Sequence, residues 1–364
     1  MRHHKIRKSV VVIMVVLFIA LYELAGICIA YKNQPEVSPE TQKEIQLETW
    51  DKISGTPERA VIIEKNPDAL LQRIRLIQNA RDEIILSTFA FHSDESGKLI
   101  MGALLDAADR GVRVRILADG FESWTAMEGN PYFYALSSYE NIEIKLYNRA
   151  NPLKPWKMMG RMHDKYLIAD GETYILGGRN TYNYFLGDFP GHKNYDRDVL
   201  VVCRSPRAEN SVSQLLEYFE TIWEQKDCAY FHRKKSLADR KSVRKAALEM
   251  REAYQEYSAD NAKSISDTDY TDETFETEQI MLVSNPIHTG AKEPVVWYAL
   301  GELMKNAEKR VKIHTPYIIC NDMMYHTWKE ISGRVPEFSV MTNSVANNGN
   351  PFGSADYAKN RDKI

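Results

Sequence analysis

The sequence has little cysteine. Its four, Cys28, Cys203, Cys228 and Cys320, make no C-x-x-C pair and no metal-ligand spacing, which excludes a zinc ribbon or a dithiol centre of the familiar kind. Cys203 lies in an apolar run, as a buried thiol does. Charge of one sign is also lacking: 47 Lys and Arg against 50 Asp and Glu leave a net charge of −3. That balance argues against a nucleic-acid partner held by bulk electrostatics. Long apolar runs are scarce too, and the exception is Ser9 to Tyr31. It has about the 20 residues needed to cross a bilayer. Its one charge, Glu23, falls toward the far end, where a span reaches the interface.

Residues 1–8, with Arg2, His3, His4, Lys5, Arg7 and Lys8, form a basic head, whereas only Lys32 follows the run closely. The asymmetry predicts a single-pass anchor over 9–31 in the cell membrane, the N-terminus cytoplasmic and the body extracytoplasmic. A cleaved signal peptide is the alternative, since Ala25 to Ala30 is rich in small residues. A lipoprotein signal fits poorly, because Ile27 precedes Cys28.

A chain of 364 residues can hold two core-bearing lobes. Residues 32–58, with Pro35, Pro39 and several Glu and Gln, read as a tether, partly helical from Glu40 to Trp50. Residues 59–231 read as a first lobe. Asn66-Pro67 starts a helix with an N-cap and a first-turn proline, and Leu70, Ile74 and Ile77 recur at helical spacing. Ile84 to Phe91 is an apolar strand, Leu99 to Ala108 an amphipathic helix closed by Gly111, and Val112 to Ala118 a strand ending at Asp119. Ile142 to Leu146 and Val199 to Cys203 are further strands, and Ala208 to Trp223 a closing helix. This β-α-β alternation predicts an α/β fold, with a mixed, mostly parallel sheet flanked by helices. Residues 232–277, charged and then rich in Ser, Asp, Thr and Glu, read as a connector or exposed insertion. Residues 278–364 repeat the start of the first lobe: Ala307 to Thr315 parallels Ala80 to Thr88, and Phe338 to Asn343 parallels Val114 to Asp119.

The stretch Arg161 to Asn180 carries the chemistry. His163 and Lys165 are two apart, so on a strand both leave one face. Tyr166 to Ala169 suits a buried strand, Asp170-Gly171 a hairpin turn, and Tyr174 to Leu176 the returning strand. Gly177 and Gly178 permit a tight bend, after which the Asn180 amide faces the imidazole and the ammonium. Such a group suits a phosphate ester: ammonium and amide hold oxygens while imidazole attacks phosphorus. Just upstream, Lys154, Trp156, Lys157, Met158 and Met159 mix basic, aromatic and thioether side chains, as a segment meeting lipid headgroups does; an ordinary surface loop is the equal alternative.

The spacing H-x-K-x4-D, then x6-G-G-x-N, resembles the HKD motif of the phospholipase D superfamily, with every fixed position filled. Tyr182, Tyr184 and Phe185 resemble the continuation in cardiolipin synthase-type members. The resemblance implies a duplicated lobe with one motif in each half, no cofactor and no metal. It implies catalytic roles for His163, Lys165 and Asp170: His163 as the nucleophile that becomes a phosphohistidine, Asp170 holding local geometry. Lys165 and Asn180, with Gly177 and Gly178 beside them, would cradle the phosphate. A second histidine would protonate the leaving alcohol.

No H-x-K occurs in the second half, where His288, His314 and His326 lack the lysine. The interval from Asp119 to His163, counted on from Asn343, runs past Ile364, so one and a half repeats are expected. Three readings follow: a longer natural chain that continues to a second motif, a homodimer in which two copies of His163 meet, or a catalytically impaired phospholipid-binding protein. The expected function is a membrane-anchored phosphatidyltransferase on a phosphatidylglycerol-like lipid. The runner-up is a single-motif phosphodiesterase active only as a dimer.

Overall fold

Side chains along Glu83–Thr88 alternate between two cores: Ile84 and Leu86 enter one, Ile85 the other. The same alternation runs through Arg113–Asp119, where Val114, Ile116 and Ala118 oppose Leu117, and through Tyr166–Ala169, where Leu167 and Ala169 oppose Tyr166 and Ile168. A strand apolar on both faces must be covered on both, so helices lie on each side of the sheet. One side carries Asn66–Asn79, Glu95–Asp109, Pro131–Ser137 and Lys241–Asp260. The other carries Ser211–Trp223.

The computed structural model describes residues 8–30, 32, 34–45, 58–203, 210–344, 346 and 351–363. It divides into two units: Met1–Asn33, Gly55–Leu282 and Ile287–Ala291 form one, and Gln34–Ser54, Val283–Pro286 and Lys292–Ile364 the other. The strands in chain order are β1 (Arg59–Ile63), β2 (Glu83–Thr88), β3 (Arg113–Asp119), β4 (Ile142–Tyr147), β5 (Tyr166–Ala169), β6 (Thr173–Gly177), β7 (Asp198–Val202), β8 (Cys228–Tyr230), β9 (Phe275–Glu276), β10 (Arg310–His314) and β11 (Glu337–Met341). In the first unit the order is β8-β4-β3-β2-β5-β6-β7-β1-β9. Parallel pairing is confined to β2–β3 and β3–β4; the remaining pairs are antiparallel. The sheet is mixed, and its parallel part is the β-α-β core that the sequence alternation marks.

The β5–β6 hairpin turns at Asp170-Gly171, with φ of 53° and 64°. Both central residues are left-handed and the Glu172 amide donates to the Ala169 carbonyl at 3.0 Å, a type I′ turn. The motif strand begins at Tyr166, so His163 and Lys165 lie in the segment leading into it. Asn66 is the first helical residue and not the cap. Its amide donates to the Asn194 carbonyl at 2.9 Å and its Oδ1 accepts from Arg179 Nε at 3.1 Å.

The stretch 232–277 is not a connector. Val243, Met250 and Tyr254 of Lys241–Asp260 are buried in the first core, and a Cβ on Gly102 would stand 2.2 Å from the Met250 carbonyl. Ile265 and Tyr270 are buried as well, and β9 adds to the sheet edge at β1. Its charged composition reflects the outer face of a helix whose inner stripe is apolar. The expected tether is helical over Pro39–Glu44; its residues 46–57 lie outside the described residues. In the second unit the Ser38 amide donates to Glu293 at 2.6 Å. That unit pairs β10 with β11 in parallel, as β2 pairs with β3, around Val311, Ile318, Trp328 and Ile331.

Asp198 ties the first unit together. Its carboxylate is fully buried, with Arg73 Nη1 at 2.9 Å and Arg179 Nη1 at 3.2 Å, both guanidiniums buried too. Asp198→Ala leaves two buried cations without their counter-ion, and a loss of about 3–5 kcal/mol is expected. A lowered midpoint in denaturant unfolding of the detergent-solubilised chain checks it; an unchanged midpoint would refute the role.

Candidate functional site

The C-terminal end of β2 is the common neighbour of the polar residues in the motif. Phe89 follows β2, and the His163 ring meets it edge-on with centroids 4.6 Å apart. Lys165 Nζ lies 5.3 Å from the same ring and Arg161 Cζ 5.1 Å. The next amide, Ala90 N–H, donates to Asn180 Oδ1 at 3.2 Å. That bond orients the Asn180 side chain, with its NH2 as the group left to donate. The 90–92 segment is clamped by 181: Thr181 N–H donates to the Ala90 carbonyl at 3.0 Å, and His92 N–H to the Thr181 carbonyl at 3.2 Å. His163, Lys165 and Asn180 are therefore gathered around two consecutive residues.

Asp119, at the end of β3, fixes the segment from the other side. Its Oδ2 accepts from Met162 N–H at 3.1 Å and its Oδ1 from Arg161 Nε at 2.9 Å. Oδ1 also accepts from the amides of Phe121 and Glu122, at 3.1 and 3.0 Å. A carboxylate with this many donors holds the backbone directly before His163, although no motif position records it.

Lys165 is 5% exposed and donates to the His163 carbonyl at 2.6 Å. Burial pulls its ammonium down to about 8, against the carboxylates of Asp164, Asp196 and Asp119. His163 is open to solvent on one side and crowded on the other. Crowding first, then the Lys165 charge, lowers it from 6.5 to about 4; Asp119 opposes the shift and Arg161 adds to it. At neutral pH the pair is thus a neutral imidazole beside an ammonium. The first has a free lone pair and the second a charge with which to hold an oxygen.

Two parts of the expected site stand apart. Asp170 is at the other end of β5, about 16 Å from Lys165 at the rise of a strand. Its carboxylate accepts from three backbone amides, Arg81, Asp82 and Glu83, at 2.9, 2.8 and 3.0 Å. It ties the hairpin turn to the start of β2, a positioning role. Gly177 and Gly178, expected beside the phosphate, donate their amides instead to the carbonyls of Lys165 and Arg197. They are glycine because a Cβ would stand 2.0 Å from Asp198 Oδ1 and 2.0 Å from Asp196 Oδ2, respectively. Sequence reading overlooked Phe89 and Arg161. Arg161 sits at the same alternation as His163 and Lys165, a signal that was available; Phe89 carried none. Among the described residues no cluster of His, Cys, Asp and Glu suited to a metal ion occurs.

Known proteins resemble this chain over part of its length. Residues 73–223 match the family model described as cardiolipin synthase, PLD-like domain. An uncharacterized protein of Helicobacter pylori (strain ATCC 700392 / 26695) is 29% identical over 329 residues, covering 81% of this chain and 62% of its own. Cardiolipin synthase C of Escherichia coli (strain K12) is 30% identical over 166 residues, 43% of this chain and 34% of its own. The chain thus spans less than two thirds of the length of the curated relatives it matches. The solved structure of phosphatidylserine synthase from Haemophilus influenzae Rd KW20 aligns over 84% of this chain and 66% of its own, with a TM-score of 0.54 and 14% identity, a likeness of fold.

Proposed function

We propose, from the premise that residues 73–223 are a phospholipase D-like domain of the cardiolipin synthase type, that this chain transfers phosphatidyl groups through a covalent intermediate on His163. A nitrogen lone pair of the neutral imidazole attacks phosphorus, and a P–N bond forms as the P–O bond to the leaving alcohol breaks. Lys165 and the Asn180 NH2 donate to the non-bridging oxygens, where charge accumulates. The departing alkoxide takes a proton from a second acid, and the acceptor hydroxyl returns that proton as its oxygen displaces the histidine. A second motif in a longer chain would supply that acid, as would a second copy of His163 in a homodimer whose two facing imidazoles share one proton. The substrate class is a membrane phospholipid of the phosphatidylglycerol kind. The anchor holds the site beside it, with the N-terminus cytoplasmic and the body outside.

The observation that carries this reading is the pairing of a solvent-accessible, neutral imidazole with a buried ammonium two residues on. The test is headgroup release from phosphatidylglycerol vesicles by the full chain, followed against pH. His163 must be unprotonated, so kcat/KM holds as pH falls through 6.5 and is lost only near 4. Lys165 must be protonated, so activity declines as pH rises through about 8. An acid limb at 6.5 would show that the imidazole has an ordinary environment and would remove the central support.

A further inference from the structure

We infer that the segment 153–159 inserts into the membrane interface beside the anchor and brings His163 to headgroup level. The inference rests on the membrane placement proposed above and not on the chemistry at His163. The helix Ser9–Ala30 has 22 residues, is long and apolar enough to cross a membrane, and buries none of its most apolar stretch inside the protein. At ~1.5 Å per residue it is ~33 Å long, against a hydrocarbon core of ~30 Å.

Its C-terminal part is the exception to full exposure. Glu23, Gly26, Ile27 and Ala30, spaced as one helical face, are partly covered. The short helix Pro155–Lys157 packs there. Tyr22 donates its hydroxyl to the Leu153 carbonyl at 2.9 Å, and a Cβ on Gly26 would stand 2.4 Å from Pro155 Cγ. These contacts fix the depth of the segment, because Tyr22 and Gly26 lie ~12 and ~6 Å below the helix end. That is the zone where headgroups meet acyl chains, ~5–10 Å deep for an interfacial element.

The side chains suit that zone. Leu153 is 77% exposed, Trp156 45% and Met159 54%, so the segment presents apolar groups away from its own core. Trp is the residue type that settles at headgroup level, and the exposed Lys154 supplies a cation for lipid phosphate. Lys157 is already paired with Asp227 at 2.8 Å. Arg161 and His163 follow within a few residues, so the depth of the segment sets how far a lipid phosphodiester must rise to reach the imidazole.

The experiment uses the full chain in vesicles of phosphatidylglycerol and phosphatidylethanolamine, some carrying acyl chains brominated near their glycerol end. Bromine quenches tryptophan on contact, and the Trp156→Phe variant isolates the contribution of this residue. We expect the wild type to be quenched and most of that quenching to be lost in Trp156→Phe, both proteins floating with the vesicles. Equal quenching in both, with flotation intact, would overturn the insertion while leaving the anchor in place. A wild-type chain that does not float would overturn anchor and insertion together. Neither readout depends on turnover, so a failure of the His163 chemistry is seen separately.

Discussion

His163→Ala is expected to lower kcat/KM for phosphatidylglycerol by about 10³-fold or more, since a covalent route loses its bond-forming atom. The substitution is a clean one in this fold. The ring is solvent-accessible on one side and meets Phe89 edge-on, and Lys165 is held by the His163 carbonyl, which alanine retains. Stability should therefore change by no more than about 0.5 kcal/mol, as for an exposed side chain. Lys165, Asn180 and the Ala90 bond that orients the amide stay in place, so lipid binding should persist while turnover disappears. Vesicle turnover and a thermal scan on one preparation check both halves. A variant with unchanged turnover would end the assignment of the nucleophile. Equal loss of turnover and folding would point to a packing role.

Lys165→Met is expected to cost about 10²–10³-fold, the range seen when one preorganised donor to a developing charge is removed. Methionine keeps the length and apolar stem, and it relieves the chain of a buried cation, so folding should not suffer. A second consequence separates this residue from a merely structural lysine. The ammonium is the main charge holding His163 low, after the crowding around the ring. Without it the imidazole accepts a proton more readily, so the acid limb of the residual activity moves up from about 4 toward 6.5. The decline near pH 8 should vanish, because the group responsible for it is gone. A variant whose acid limb stays where it is in the parent would show that the two side chains do not sense each other.

The sequence made the hairpin legible because its determinants are local. Asp170-Gly171 dictates a type I′ turn, and the flanking apolar runs dictate the strands. The motif spacing then brought His163, Lys165 and Asn180 to one strand end. What it did not disclose depends on distant partners. Asp119 is 44 residues from His163 in sequence, yet its carboxylate accepts from the Arg161 guanidinium and the Met162 amide just before that histidine, while the amides of Phe121 and Glu122 fix the carboxylate itself. The glycine pair read as a bend, whereas space beside Asp196 and Asp198 requires it. The motif marked Asp170 as holding local geometry, but not which groups it holds: three amides at the far end of the strand. The stretch 232–277 read as a connector by composition, because a helix with one apolar stripe averages out as charged.

The central claim is that a phosphatidyl group is carried on the imidazole at position 163. The direct measurement is to quench turnover of lipid radiolabelled at phosphorus with alkaline denaturant and map the labelled peptide. The account predicts an alkali-stable, acid-labile label on His163, absent from His163→Ala. Label on another side chain, or none in protein quenched while turning over rapidly, would contradict it.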